Sequence, residues 1–181
     1  MTHSRDLSSP DPQTVVLSKE AIITMMRAAV VDPTDPIRTA AIIACGIGCA
    51  ARPDELLSLR CKDAVRSADG RWSLLLRTEK SGGSRVVVAC PSVNQLLDVY
   101  SASHRPNPNE PFFSCSAEEF RSSVKHCLAA AGVQSRGGWH CLRHTGVSLM
   151  LEAHGAGAPA ARSHCDFLAV PDVLEALTRT A

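Results

Sequence analysis

Aromatic residues are scarce in this chain, with two Trp, one Tyr and four Phe among 181 residues. A hydrophobic core must therefore be built mainly from Leu, Val, Ile and Ala, and such a composition favours a mainly helical fold. Hydrophobic residues nevertheless make up 45% of the chain. This content is enough for one domain of ordinary size, whereas two full domains would be cramped.

Long apolar runs are also missing. No run approaches the roughly 18 residues that cross a bilayer, and no apolar signal segment precedes the eight cysteines. We therefore expect reduced, mostly buried thiols. The sequence predicts an intracellular protein, cytoplasmic or nuclear and not secreted, that has no membrane partner.

The cysteine spacing lacks the Cys-x-x-Cys pairs of common zinc sites. His140 and Cys141 are adjacent, as are His164 and Cys165, but neighbouring residues rarely ligate one ion together. We expect no metal and no cofactor. A zinc-bound or purely structural helical domain remains an alternative.

Excess charge of one sign is absent, because the formal net charge is +1 and the sequence pI is about 7.6. This balance does not by itself indicate nucleic-acid binding. A fold can still gather several of the basic residues on one face while the acidic residues lie elsewhere.

The chain divides into a polar tail, residues 1–15, and one domain, residues 16–181. In the domain, Ser18, Asp35 and Ser116 are typical helix caps, and Pro36, Pro53 and Pro91 suit first helical turns. Residues 72–78 and 84–90 are apolar and separated by the glycine-containing EKSGGS, which predicts a β-hairpin. The remaining predicted helices cover the stretch from 138 to about 154 and two short pieces, 160–167 and 172–178.

Two stretches carry candidate functional residues. In GWHCLRHTGVSLML, His140 and Arg143 are three residues apart and share one helical face. In ARPDELLSLRCKD, Arg52 precedes Pro53 and so lies just outside a helix start. Each cation taken alone could be a solvated surface charge.

Arg52, then Lys80 on a hairpin, then His140 and Arg143 on a later helix form an ordered set that resembles the catalytic domain of the tyrosine recombinase (phage integrase) family. The anchors of this resemblance are ARPDELLSLRCKD, HCLRHTGVSLML and the EKSGGSRVVV hairpin, and the likeness runs from Leu17 onward. It implies an integrase-like α+β fold, mainly α-helical, with a small β-hairpin or sheet at one edge. It also implies double-stranded DNA as partner and a role in site-specific DNA recombination and integration.

The resemblance also assigns roles. Arg52 and Arg143 would bind the scissile phosphate, since guanidiniums neutralise its non-bridging oxygens through charge-assisted hydrogen bonds. His140 would bind the same phosphate, and Lys80 would act as general acid. His164 matches the family's second histidine less closely, because Arg162 and Ser163 replace the usual Leu-Gly. Arg85 and Arg136 complete the expected DNA contacts.

The sequence departs from the family at the nucleophile and at its beginning. No tyrosine occurs around Val173, where the family carries the residue that forms the covalent link to DNA. The only tyrosine, Tyr100, belongs by its spacing to the apolar face of an earlier helix, so the nucleophile is unassigned. The polar tail cannot be the family's N-terminal DNA-clamping domain, and the chain therefore reads as a catalytic domain alone.

Three interpretations follow. The first is a DNA-binding protein of the integrase type, such as a degenerate copy from a mobile element, that does not cleave its strands. The second is an active breaking and rejoining recombinase with an atypical nucleophile or one supplied in trans. The third is the structural or zinc-binding helical domain. A homo-oligomer on DNA or a separate recombinase subunit would be the protein partner.

Overall fold

The computed structural model describes residues 15–78, 82–104, 107–134, 138–154 and 170–180. They form a helical assembly with a small sheet, which confirms the predicted α+β, mainly helical class. The elements in chain order are α1 (Lys19–Ala29), α2 (Pro36–Gly48), α3 (Pro53–Leu57), β1 (Ala64–Arg66), β2 (Trp72–Thr78), β3 (Gly83–Val88), α4 (Pro91–Ser103), α5 (Ala117–Ala130), α6 (His140–His154) and α7 (Val170–Thr180).

Three helices begin at the caps that the sequence predicts. The Ser18 side chain accepts a hydrogen bond from the Ala21 N–H, and Asp35 accepts one from the Arg38 N–H at 3.0 Å. At the start of α5, the Ser116 and Glu119 side chains each accept a bond from the other's backbone N–H. These bonds satisfy donors that the first helical turn leaves without partners.

Helix α2 is the centre of the domain. Every residue from Arg38 to Gly48 is buried, and α1, α4, α5, α6 and α7 all pack against this helix. Its almost uniformly apolar sequence predicts this position, because a helix without a polar face cannot lie on the surface. The chain that leaves α2 therefore emerges from the middle of the molecule.

The sheet is antiparallel in the order β1-β2-β3. The predicted hairpin is its β2–β3 part, with Thr78 opposite Gly83 at the tip and Leu74 and Leu76 buried against the helices. Strand β1 was not predicted. It has three residues, too few to show an alternating pattern, and follows a 3-10 turn at Cys61–Asp63.

Tyr100 lies in the core, as predicted. It is 1% exposed, its hydroxyl donates to the Phe112 carbonyl at 2.9 Å, and the same oxygen accepts the Ser114 N–H at 3.3 Å. Burial raises the pKa of Tyr100 to about 12. This hydroxyl is thus a structural link between α4 and the segment that leads into α5.

The end of the chain agrees in part with the prediction. The second of the two expected short helices, at 172–178, corresponds to α7, which begins two residues earlier at Val170. The first, at 160–167, lies outside the described residues, as does most of the predicted 1–15 tail.

No helix within the described residues is long and apolar enough to cross a membrane. The seven cysteines in this part of the chain form no disulfide with one another. The described residues also contain no group of three or more His, Cys, Asp or Glu side chains that could hold a metal ion.

Candidate phosphate-binding site

Arg52 stands at the start of α3, immediately beyond the exit from central helix α2. Pro53 occupies the first helical position, where its missing N–H costs nothing. The Arg52 N–H donates to Glu55 Oε2 at 2.8 Å, and Arg52 Nη1 donates to Glu55 Oε1 at 3.0 Å. One glutamate therefore fixes both the backbone and the guanidinium of Arg52, while 42% of the Arg52 side chain stays exposed.

Glu55 is the buried centre of the site, with a fully buried side chain. Its carboxylate also accepts the Thr78 hydroxyl at 2.9 Å and Arg85 Nη2 at 2.7 Å. Burial opposes ionisation, but the hydrogen bonds from Arg85, the Arg52 backbone and Thr78 outweigh it and lower the pKa of Glu55 to about 2. Glu55 is therefore a carboxylate at neutral pH and joins α3 to both strands of the hairpin.

The Ala50 carbonyl provides a second anchor. Ala50 follows α2 and has φ 46°, a left-handed conformation that side chains other than glycine rarely adopt. Its carbonyl accepts Arg85 Nη2 at 3.2 Å and also Arg143 Nη1. One backbone oxygen thus holds a guanidinium from β3 and a guanidinium from α6.

Helix α6 brings Arg143 to Ala50 by packing closely on α2. A Cβ atom added to Gly146 would lie 2.1 Å from the Ile47 carbonyl oxygen, so no other residue fits there without movement. Trp139 Nε1 also donates to the Ala51 carbonyl at 3.4 Å. These contacts hold the first turns of α6 against the end of α2.

Arg52, Arg85 and Arg143, held by Glu55 and the Ala50 carbonyl, are called the arginine cluster below. Burial lowers the pKa of Arg143, and the charges of Arg52 and Arg85 lower it further, whereas Glu55 raises it. Arg52 and Arg85 pair with the Glu55 carboxylate and Arg143 bonds a neutral carbonyl, so the cluster has three positive charges and one negative charge. Partly exposed guanidiniums in such excess are suited to bind an oxyanion.

His140 begins α6 and is exposed beside the start of α3. It lines a groove of about 780 Å³ together with Pro53 and Asp54. Most of the lining comes from α5 and the start of α6. It includes the apolar side chains of Phe120, Val124, Leu128 and Trp139 and the cations Arg121 and Lys125. His140 therefore lies where the starts of α3 and α6 both border this groove.

The structure brings together three of the predicted site residues, Arg52, Arg85 and Arg143. His140 lies one turn before Arg143 on α6 and lines the groove beside Pro53, the neighbour of Arg52. Lys80, Arg136 and His164 lie outside the described residues. The sequence analysis assigned no role in the site to Glu55 or to Ala50. The spacing of Arg52 and Glu55 was a usable signal, but nothing in the sequence marks Ala50 as an anchor.

Solved structures of recombinases share this fold. The chain is similar to XerA recombinase with a TM-score of 0.63 and 19% identity, covering 97% of this chain and 65% of that one. It is similar to XerH site-specific recombinase bound to palindromic difH substrate in a post-cleavage complex, with a TM-score of 0.64 and 18% identity over 97% of this chain and 49% of that one. The chain is also similar to lambda integrase (residues 75–356) bound to DNA, with a TM-score of 0.61 and 14% identity over 88% of this chain and 62% of that one.

This chain therefore spans from about half to about two thirds of the length of these structures. A comparison with curated proteins gave no match. The sequence model of the phage integrase family matches residues 16–161, which is most of the chain and includes all of the arginine cluster. The chain belongs to the phage integrase family.

Proposed function

We propose that this chain binds duplex DNA by gripping one backbone phosphate between Arg52 and Arg143, as a recombination protein of the integrase type. The observation that carries the proposal is the convergence of these two guanidiniums, from α3 and α6, on one site with excess positive charge. Solved structures with the same fold hold DNA, which supports the same class of ligand here.

The other expected residues have places in this proposal. His140, exposed at the start of α6, donates to the same phosphate from the side of the groove. Lys80 and His164 contribute charge and hydrogen bonds to the same phosphate, and Arg136 contacts the DNA backbone. No metal ion is needed to neutralise the phosphate, since the guanidiniums supply the charge.

We propose further that this chain, acting alone, does not cut the strand that it binds. Strand cleavage in this family needs a tyrosine hydroxyl as nucleophile. Tyr100, the only tyrosine in the sequence, is buried and its oxygen makes two hydrogen bonds in the core. Its raised pKa makes the phenolate harder to form than in water.

The binding proposal is tested with a fluorescently labelled, random-sequence duplex titrated across roughly 50 to 200 mM salt. A hydrogen bond to a charged group is worth about 1.5–3 kcal/mol. Arg143→Ala and Arg52→Ala should therefore each weaken binding by about tenfold to a hundredfold and reduce the salt slope by about one unit.

Arg66→Ala is the matched control. Arg66 is 48% exposed and paired with Asp98, so it resembles Arg52 in exposure and charge. It lies opposite Trp72, at the far end of β2 from Thr78 and hence about 20 Å from the cluster. Unchanged affinity in R52A and R143A, or an equal loss in R66A, would refute a specific phosphate site.

The cleavage proposal is tested with a nicked suicide substrate that traps covalent protein–DNA intermediates. The expected result is no adduct by denaturing electrophoresis and mass spectrometry, with binding retained. An adduct that survives in Tyr100→Phe would reveal an atypical nucleophile and replace this part of the proposal with active recombination.

A further inference from the structure

Arg85 has a bonding pattern unlike that of a side chain waiting for a ligand. Its Nη2 already donates to two acceptors, Glu55 Oε2 at 2.7 Å and the Ala50 carbonyl at 3.2 Å. Its Nε is buried and has no hydrogen-bond partner within the described residues. Although 37% of the Arg85 side chain is exposed, a guanidinium with one nitrogen bonded to two acceptors and another shut off from solvent must give up these bonds before it can turn toward DNA.

The two acceptors of Arg85 are the anchors of the two phosphate-binding arginines. Glu55 also holds Arg52 Nη1 at 3.0 Å, and the Ala50 carbonyl also holds Arg143 Nη1. An unbroken path of hydrogen bonds therefore runs from one arginine to the other. The middle residue of this path is Arg85, which comes from β3, whereas Arg52 precedes α3 and Arg143 is on α6.

We propose that Arg85 is a positioning residue that sets the spacing between Arg52 and Arg143. This inference rests on the proposed function, in which those two guanidiniums grip one phosphate. It gives Arg85 a different role from the DNA contact that the sequence indicates. Both bonds come from Nη2, which lies one covalent bond farther from its Cα than the ammonium nitrogen of a lysine would, so a lysine at this position would fall short of these acceptors.

A double-mutant cycle tests this role, with binding of the random-sequence duplex as the readout. Arg85→Met should weaken binding by about tenfold in the wild-type background. When Arg143→Ala is already present, the loss should be less than about threefold, because Arg52 then has no second guanidinium whose spacing Arg85 could set. An equal loss in both backgrounds, with the salt slope lowered by about one unit, would mean that Arg85 contacts a phosphate directly and would overturn the proposal.

Arg77→Met is the matched control for damage to the hairpin. Arg77 is on β2 and pairs with the buried carboxylate of Asp63, just as Arg85 pairs with Glu55, but it has no bond to the arginine cluster. Its effect on affinity should be the same with and without R143A. If R77M shows the same coupling to R143A as R85M does, general loosening of the fold explains the result and the positioning role is wrong.

Arg85→Lys separates charge from geometry. The lysine keeps a positive charge near Glu55, but its ammonium ends one covalent bond short of the Nη2 position that bridges Glu55 and the Ala50 carbonyl, so R85K should bind DNA nearly as weakly as R85M. Affinity equal to that of the wild type would show that charge alone suffices, which contradicts the proposed bridging.

A measurement on the free protein keeps this inference distinct from the proposed function. In side-chain NMR, the Arg143 guanidinium should give resolved N–H signals in the wild type and lose them in R85M, while R77M retains them. Unchanged Arg143 signals in R85M would overturn the positioning role even if DNA binds. If the wild type binds no DNA but R85M releases Arg143, the proposed function fails and the positioning role stands.

Discussion

Replacing Glu55 with glutamine tests the electrostatic logic of the site directly. Glu55→Gln keeps the shape of the side chain but removes the single negative charge among three guanidiniums. The new amide group also presents donors where Arg52, Thr78 and Arg85 need acceptors. We expect the variant to fold but to be clearly less stable than the wild type at neutral pH.

The size of the loss follows from the pKa of Glu55, which is about 2 in the folded protein and 4.5 for a free glutamate. A depressed pKa stabilises the folded state above pH 4.5, and the contribution disappears as the pH falls through 2. It amounts to about 3 kcal/mol at pH 7 and about 1 kcal/mol at pH 3. These values are upper figures, because water partly screens the exposed Arg52 and Arg85.

Urea unfolding of the wild type and E55Q at pH 7 and at pH 3 measures this contribution. The difference in unfolding free energy between the two proteins should shrink by about 1 to 2 kcal/mol at the lower pH. Glu118→Gln is the control, since Glu118 is exposed and its ion pair with Arg121 lies on the surface; its effect should stay within about 0.5 kcal/mol. A difference for E55Q that is the same at both pH values would refute the assigned ionisation.

Three further substitutions test the framework of the site by urea unfolding. Ala50→Gly should leave stability unchanged or raise it by up to about 1 kcal/mol, because glycine relieves the left-handed backbone; a loss would contradict this. Gly146→Ala should destabilise by about 1–3 kcal/mol or more and weaken DNA binding, because its Cβ meets the Ile47 carbonyl, and wild-type stability would disprove the close packing. Tyr100→Phe should cost about 1–2 kcal/mol through the lost hydroxyl bonds and leave DNA affinity intact; reduced affinity would refute its purely structural role.

Much of the fold could be predicted because its signals are local. Ser18, Asp35 and Ser116 cap their helices through side-chain bonds to residues three positions on, a distance that the sequence displays directly. The central place of α2 also follows from its own composition. Strand β1 could not be found this way, since its three residues are strand only through pairing with β2.

In the candidate site, too, only the residues with local sequence signals could be predicted. Arg52 and Arg143 were identifiable because each lies in a motif next to a helix start. The bonds of Arg85 could not be predicted, because its partners Glu55 and Ala50 are 30 and 35 residues away in the chain. Ala50 was hidden for a further reason: a left-handed turn normally signals itself by glycine, and here alanine occupies it.

The charge of the arginine cluster argues against a purely structural role. A structural ion-pair group is most stable when its charges balance, because each buried charge without a partner carries a desolvation cost. Here burial and the neighbouring guanidiniums both disfavour the cationic form of Arg143, and Glu55 compensates only in part. The fold nevertheless fixes Arg143 there through the Gly146 contact and the Ala50 carbonyl. An anion placed between the guanidiniums would remove this penalty. The charge imbalance that destabilises the free protein therefore favours a bound phosphate.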